Sequence, residues 1–197
     1  MVKLYLVESQ EQQEIARKIV ERHHSYVPSF NSVGRKIDYL ITLDERIVGM
    51  IGIGSATYPP CKDVLSYLNI SKQQYAQIFN SFANNWRFCL TESHRNLGTQ
   101  ALKQLRSLAP YHWKQTYGDT LTHILTFVGA DHNGAVYRAD NWELIGSTAG
   151  LPSHQALSMK WDIQDLHSKF VKPTGENKKL IFIHPVRLVA PNEDTLF

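Results

Sequence analysis

Only two cysteines, Cys61 and Cys89, occur among the 197 residues, and no Cys-x-x-Cys pair is present. This scarcity excludes a disulfide framework and a zinc knuckle, and it fits a reducing cytosolic setting. Long hydrophobic runs are also missing, since none approaches the roughly 20 residues that a membrane-spanning helix needs. The N-terminus becomes acidic at Glu8, too early for a signal peptide. We therefore expect a cytoplasmic protein that does not contact a membrane.

The sequence also lacks a large excess of either charge, because 18 Asp and Glu residues nearly balance 21 Lys and Arg residues. The formal net charge of +3 permits nucleic-acid binding without requiring it. The nine histidines lack the spacing of metal ligands, so the sequence assigns no metal-binding residues and leaves a metal requirement open. A charged fraction of 20% argues against disorder. The length suits one domain over residues 1–197.

Apolar periodicity predicts an α/β protein with one mixed central sheet flanked by helices. Two capping boxes, Ser9 with Gln12 and Ser71 with Gln74, mark helix starts. A third helix is expected to end at Pro110, and a short fourth helix lies near 134–139. Strands are predicted at 3–7, 39–43, 47–53, 86–90, 123–128, 142–146, 156–161 and 180–184.

The start of the third helix is the most informative segment. An apolar strand over 86–90 is followed by Arg95, Asn96, Leu97, Gly98, Thr99 and Gln100. The first N–H groups of a helix lack intrahelical partners and attract anions, aided by the helix dipole. Gly98 would let a phosphate approach the backbone closely. The segment therefore predicts a nucleotide or coenzyme site.

This segment resembles the acyl-coenzyme loop of GNAT acyltransferases, Arg/Gln-x-x-Gly-x-Gly/Ala, in its first four positions. Gln100 stands where that family has a small residue, which counts against an ordinary acetyl-coenzyme A enzyme. Tyr137 followed by Asn141-Trp142 has the frame of the family's Tyr and Gly-Phe. The resemblance implies a single-domain GNAT-like fold with an acyl-coenzyme A donor at residues 95–100. It also implies that Tyr137 is the acid that protonates the leaving group.

A longer resemblance runs from about residue 22 to 150. It includes His23-His24-x-Tyr26, Asn84-Asn85-Trp86-Arg87-Phe88, Trp113-x-x-x-Tyr117-Gly118 and the stretch from Gly134 to Gly150. This string resembles the Mom family, named after the phage Mu protein that modifies adenine in phage DNA, and it is similar to the DruA-type proteins of Druantia anti-phage systems. Membership in the Mom family implies a carbamoylmethyl-type change at N6 of adenine, which protects phage DNA from host restriction. The location would then be the cytoplasm of the host cell.

Four side chains are candidates for proton transfer in such a reaction. The phenol of Tyr137 can protonate a leaving group. His23 ends the first helix, and histidine titrates near neutrality. Glu92 and Asp131 follow predicted strands, and the ends of strands commonly face a substrate crevice.

A second set of residues is expected to contact DNA. Asn141 can pair with an adenine edge, and Trp142 can stack on the base. Because N6 is difficult to reach inside a duplex, the base is expected to flip out of the stack. The remaining candidates for phosphate or base contact are Tyr26, Arg35, Lys36, Ser55 and Arg87.

Three functions remain open at this stage. The first is a Mom-like transferase whose donor is acyl-coenzyme A or a glycine-derived species. The second is an ordinary acyl-coenzyme A N-acyltransferase for a small amine or peptide. The third is a DNA-binding component of a defence system without enzymatic activity. The long specific string favours the first, and the oligomeric state does not follow from the sequence.

Overall fold

The computed structural model describes residues 1–24, 30, 34–129, 131–150, 175 and 177–189. Its strands are β1 Val2–Leu6, β2 Lys36–Leu43, β3 Arg46–Ser55, β4 Phe82–Leu90, β5 His123–Val128, β6 Glu143–Ser147 and β7 Leu180–Pro185. Its helices are α1 Gln10–His23, α2 Lys62–Leu68, α3 Lys72–Ile78, α4 Leu97–Tyr117 and α5 Ala135–Ala139, with a 3-10 turn at Phe79–Ser81. The strands form one sheet in the order β1-β2-β3-β4-β5-β7-β6.

The helices divide between the two faces of the sheet. One face carries the largest core, in which Ile51 of β3 packs with Leu105 and Trp113 of α4. On the opposite face, α1 packs against Met50 and Cys89. The helices α2 and α3 cover the same opposite face through a third cluster around Tyr75, Phe82 and Ile181. The mixed sheet flanked by helices agrees with the predicted α/β class.

Local signals in the sequence are confirmed where side chains bond to the nearby backbone. Ser9 accepts a hydrogen bond from the Gln12 amide at 3.1 Å, and the Gln12 side chain accepts from the Ser9 amide at 3.0 Å. The same reciprocal pair joins Ser71 and Gln74 at the start of α3. The hairpin of β2 and β3 turns at Asp44-Glu45, as predicted.

One prediction about a helix is wrong, and one helix was not predicted. Pro110 does not end α4, which continues to Tyr117 with Pro110 inside it. Proline removes one backbone hydrogen bond, but burial of Leu108 and Trp113 on either side keeps the helix continuous. The sequence analysis placed no helix between β3 and the Ser71 cap, whereas Lys62–Leu68 forms α2 and buries Val64.

The pairing of β4 with its neighbours creates an opening in the sheet. β4 and β5 are parallel and pair only along Phe82 to Asn84. On the other side, the register with β3 shifts so that Trp86 is an extra residue between Asn85 and Arg87. Such a bulge bends its strand. The rest of β4 therefore diverges from β5.

Two earlier expectations concern other parts of the chain. The strand predicted at 156–161 lies outside the described residues, as does Tyr26. None of the helices in the described part of the chain is long and apolar enough to cross a membrane.

Candidate functional site

A cleft of about 420 Å³ lies where β4 and β5 separate. Its walls come from the end of α1, from β4 and β5, and from the segment that leads into α5. Among the lining residues are His23, His24, Asn85, Trp86, Phe88, Thr126, His132, Val136 and Tyr137. A cavity of this volume is within the range of ligand sites in proteins.

A buried polar network forms the base of the cleft. The Tyr137 phenol donates a hydrogen bond to Oδ1 of Asn85 at 2.8 Å, and the Thr126 hydroxyl lies 3.4 Å from the phenol oxygen. The Asn85 amide group donates to the carbonyl oxygens of Gly52 and Arg87 at 2.8 and 3.0 Å, which fixes the orientation of its Oδ1. The network therefore holds the Tyr137 hydroxyl at one position in the cleft wall.

The start of α4 lies beside this cleft. Asn96 caps the helix in the left-handed conformation with φ of 61°. The Leu97 amide donates to His94 and the Gln100 amide to Asn96, whereas the amides of Gly98 and Thr99 meet no acceptor within the described residues. These two N–H groups have the chemistry of the predicted anion site, and Arg95 is exposed next to them.

Packing alone requires a glycine at position 98, whether or not a phosphate binds there. A Cβ atom at this position would lie 2.6 Å from Cγ2 of Val136 and 3.7 Å from Cζ of Phe88. Both side chains line the cleft. The glycine thus brings the α4 N-terminus against α5 and places its free amides at the edge of the cleft.

Cationic and imidazole groups gather on the α1 side of the cleft. Burial and the charges of Arg87, His132 and Lys179 lower the pKa of His24 to about 4. Burial, followed by the Arg87 charge, also lowers the pKa of Lys179. The Arg87 guanidinium lies 4.7 Å from the ring centroid of Trp86, a cleft residue. Arg87, His132 and Lys179 therefore lie near enough to His24 to influence its titration.

The indole of Trp86 is held by a buried carboxylate. Its Nε1 donates to Asp38 at 3.0 Å, and Lys36 pairs with the same carboxylate at 2.9 Å. The Lys36 ammonium also lies 3.6 Å from the ring centroid of Phe30. Burial raises the pKa of Asp38, and Lys36 opposes that shift. Lys36, through its ion pair with Asp38, thus helps to hold the Trp86 indole in position.

Trp142 and Asn141 do not line the cleft, which corrects the expectation that both lie with Tyr137 in one base pocket. Trp142 is buried, with its Nε1 donating to Asp140 at 2.9 Å and its ring packed edge-on against Tyr137. Asn141 is exposed at φ of 61°, where it ends α5. Packing in the core therefore covers the ring of Trp142, on which a base would have to stack.

The other candidates for proton transfer lie in different places. His23 lines the cleft, next to His24. Glu92 pairs with Arg46 at 2.8 Å and with His94 at 3.3 Å, away from the cleft lining. Asp131 is exposed beside His132 and is not among the lining residues. The structure thus brings His23, but neither of these carboxylates, to Tyr137.

Arg35 and Ser55 serve the fold next to β2. Nη1 of Arg35 pairs with Asp119 at 2.6 Å, and its guanidinium lies 4.8 Å from the ring centroid of Tyr117. The Ser55 hydroxyl accepts from the Arg35 amide at 2.9 Å. These contacts join the start of β2 to the end of α4.

Sequence reasoning did not identify Asn85 or Thr126 as site residues. Asn85 and Thr126 are polar residues inside apolar strands, which is a signal that buried polar groups have a specific partner. That signal gives no location until β4 and β5 are paired. In the described part of the chain, no three His, Cys, Asp or Glu side chains come together in a way that could hold a metal ion.

Comparison with solved structures identifies the fold. The ribosomal-protein-S18-alanine N-acetyltransferase from Escherichia coli matches with a TM-score of 0.55 and 12% identity over 98% of each chain. The IAA acetyltransferase from Bacillus cereus ATCC 14579 gives a TM-score of 0.54 at 11% identity, covering 94% of this chain and 100% of that one. An acetyltransferase from Bacillus subtilis in complex with CoA gives 0.53 at 10%, covering 96% and 100%. The sheet is that of GNAT acetyltransferases, as predicted.

Comparison at the level of sequence identifies the family. A comparison with curated proteins finds no matching sequence. The family model of the Druantia protein DruA matches residues 1–180, and the predicted similarity to DruA-type proteins is confirmed. With a GNAT sheet, a cleft at its parallel strand pair and this match over most of its length, the chain belongs to the DruA family.

Proposed function

We propose that the protein is an acyltransferase that binds an acyl-coenzyme A type of donor in the cleft between β4 and β5 and acylates an amine. The observation that carries this proposal is the position of Tyr137 in the cleft wall, close to the free amides that begin α4. Val136 and Phe88 connect the two places, because both line the cleft and both lie near Gly98.

The residues present fit such a donor. The amides of Gly98 and Thr99, with Arg95 beside them, would hold its phosphate groups. Beyond Asn84, the edge of β4 that faces β5 no longer pairs with it, so its backbone groups can bond to an extended pantetheine arm. The donor would supply the acyl group as an activated thioester.

Tyr137 would hold the proton for the leaving sulfur. Its phenol is oriented by Asn85, and a phenol within hydrogen-bond reach can act as a general acid. His23, in the same cleft, is a candidate to accept the proton of the attacking amine.

For the acceptor, we propose the N6 amine of adenine in DNA, as in the Mom-like chemistry of the sequence resemblance. The sequence resemblance supports this choice, and Arg87, whose guanidinium lies against the cleft residue Trp86, is the candidate for contact with a phosphodiester. An adenine flipped out of the duplex would present N6 to the cleft. The donor would then carry a glycine-derived or other small acyl group.

Two measurements test the proposal. Acetyl-coenzyme A and coenzyme A are titrated into the protein by calorimetry, and we expect saturable binding that is lost in a variant with a bulky acid at Gly98. Nucleosides from the DNA of cells that express the protein are then analysed by mass spectrometry, and we expect an adenine nucleoside heavier than deoxyadenosine. Binding without a modified nucleoside would keep the acyltransferase and reject adenine as its acceptor, and absence of binding would reject both.

A further inference from the structure

We propose that Thr126 is a positioning residue of acyl transfer, which donates a hydrogen bond to the Tyr137 oxygen at the stage when the phenol has given up its proton. The role in catalysis rests on the function proposed above. The contact between the two hydroxyl groups belongs to the folded protein itself, so it can be measured without any substrate.

The first step is the direction of the hydrogen bonds at the base of the cleft. The carbonyl oxygens of Gly52 and Arg87 can only accept, and the Asn85 amide donates to them at 2.8 and 3.0 Å. Oδ1 of Asn85 is therefore directed at Tyr137 and takes the phenol proton at 2.8 Å. Since a phenol has a single proton, any further hydrogen bond at its oxygen has to be donated to it.

The second step is the position of the Thr126 hydroxyl. Its oxygen lies 3.4 Å from the Tyr137 oxygen and 3.4 Å from the Asn85 carbonyl oxygen. Both distances exceed the usual range of about 2.5–3.0 Å for hydroxyl donors. Thr126 is only 3% exposed, and buried hydroxyl groups normally have a close partner. Within the described residues, this donor therefore lies beside Tyr137 with two distant acceptors.

The third step is the movement of protons in the proposed reaction. The attacking nitrogen bonds to the acyl carbon, the bond from that carbon to sulfur breaks, and its electron pair stays on the sulfur. Tyr137 then gives its proton to the sulfur and becomes a phenolate. The proton lost by the nitrogen, which His23 accepts in the function proposed above, finally returns to the phenolate.

The fourth step is the stabilisation of this phenolate. Tyr137 is only 7% exposed, and a buried charge is costly without a donor. Asn85 presents Oδ1 and would have to break two hydrogen bonds to turn its amide towards the phenolate. Thr126 can donate after the two oxygens approach by about 0.8 Å, which gives the short bond typical of a charged acceptor. Thr126 thus favours the ionised phenol, whereas Asn85 favours the neutral one.

The first experiment measures the ionisation of residue 137 in the whole protein without a donor. Fluorotyrosine is placed at this position, because fluorine lowers the pH at which a phenol ionises, and fluorine NMR follows its titration. Thr126→Val removes the hydroxyl and keeps the branched shape. We expect it to raise the midpoint by about one pH unit or more, the size of a hydrogen bond to a charged group. Thr126→Ser keeps the hydroxyl and should titrate close to the wild type.

The second experiment measures transfer kinetics in the same variants with the natural tyrosine. We expect Thr126→Val to lower kcat about 10-fold, with KM within a few-fold of the wild type, because the hydrogen bond strengthens only as the proton leaves. Thr126→Ser should recover most of kcat. Thr126→Ala replaces Thr126→Val if the valine variant does not fold.

Thr42→Val is the matched control. Thr42 is also a buried strand threonine, and its hydroxyl donates to the Lys3 carbonyl oxygen at 3.5 Å, outside the cleft lining. It should change neither the titration of residue 137 nor kcat. An equal shift in Thr42→Val, or the same shift in Thr126→Ser as in Thr126→Val, would overturn the proposal.

The two readouts separate this proposal from the proposed function. An unchanged titration in Thr126→Val would overturn the hydrogen bond to the phenolate, whatever the activity. A shifted titration with unchanged kcat would overturn the role of Thr126 and keep the acyltransferase. A shifted titration in a protein that transfers no acyl group would overturn the proposed function, and with it the role in catalysis, but would keep the hydrogen bond.

Discussion

Tyr137 combines a role in the core with a position in the cleft. Its ring packs against Phe182 and Trp142, while its hydroxyl donates to Asn85 at the base of the cleft. Ring and hydroxyl can therefore be tested apart. Phenylalanine keeps the ring and removes the hydroxyl, and with it the proton that the proposed reaction requires.

We expect Tyr137→Phe to lower kcat of acyl transfer by about 100-fold or more, with little change in DNA affinity, as is typical for loss of a general acid. The same change leaves Oδ1 of Asn85 without its donor and should cost about 1–2 kcal/mol of unfolding free energy. Transfer kinetics and urea unfolding measure the two effects separately.

Trp142→Phe is the control for Tyr137→Phe. It also removes one hydrogen bond from a buried aromatic residue, the bond from Nε1 to Asp140, but Trp142 does not line the cleft. It should reduce stability and leave kcat within a few-fold of the wild type. Near wild-type kcat in Tyr137→Phe would show that Tyr137 only packs, and His23 would become the next candidate for proton transfer.

The ion pair of Arg106 with Asp140 is the clearest stabilising charge interaction of the core. Two hydrogen bonds of 2.9 and 2.7 Å join the groups, and Asp140 is only 6% exposed. We expect Arg106→Met to lower the unfolding free energy by about 3 kcal/mol, because it leaves a buried carboxylate unpaired. Urea unfolding measures this loss. Arg17→Met, which breaks exposed pairs with Glu14 and Glu21, should have little effect, and equal losses in both variants would contradict the argument.

At the scale of elements, the contact between the start of α4 and α5 determines the geometry of the site. We expect Gly98→Ala to push α5 away, because its Cβ would lie 2.6 Å from the branched Val136 side chain. Displacement of α5 also moves Tyr137, so acyl transfer should fall about 10-fold or more. The double variant Gly98→Ala with Val136→Ala restores space and should recover most of the activity. Wild-type transfer in the single variant would show that the contact is unimportant.

The Val136→Ala background also separates the steric effect of a substitution at Gly98 from the effect of its charge. In that background, Gly98→Glu adds a negative charge beside the amides that are proposed to bind the donor phosphates. We expect it to weaken coenzyme A binding in calorimetry far more than Gly98→Ala does. Similar affinities in the two variants would mean that α4 binds no anionic donor.

The sequence predicts elements well where the signal is local. The capping boxes at Ser9 and Ser71 have reciprocal side-chain bonds within four residues, so they formed as expected. Pro110 is different, because burial of its helix against the sheet outweighs one lost hydrogen bond, and that packing is not local. The network of Asn85 with Tyr137 joins residues 52 positions apart and could not be predicted from spacing.

At the scale of the whole molecule, the site exists because one parallel pair of strands fails to stay paired. The bulge at Trp86 and the short pairing of β4 with β5 open the sheet between its two faces. The amides that begin α4 lie on one side of this opening, and the end of α1 lies on the other. The sequence resemblance pointed to Tyr137 and residues 95–100 as site residues. Which face of the sheet each one approaches could be seen only in the folded structure.

Four partly buried histidines make the stability of the molecule depend on pH. Burial lowers the pKa values of His24, His112, His123 and His184, with His24 at about 4. In the unfolded chain these groups titrate near 6.5. Below that pH the unfolded state therefore binds more protons than the folded state does. The contribution of these neutral histidines to the unfolding free energy is therefore complete above about pH 6.5, and it is lost as the pH falls toward their folded pKa values.

We expect Tm to fall between pH 7 and pH 5, and His24→Gln to reduce that fall, as measured by thermal unfolding at low salt. Asp38 acts in the opposite sense, because burial raises its pKa, but it is present in both proteins and cancels in their difference. His94→Gln is the matched control, since the side chain of His94 is 46% exposed and lies outside the cleft lining. The same fall in Tm for wild type and His24→Gln would show that His24 is not held neutral by its surroundings.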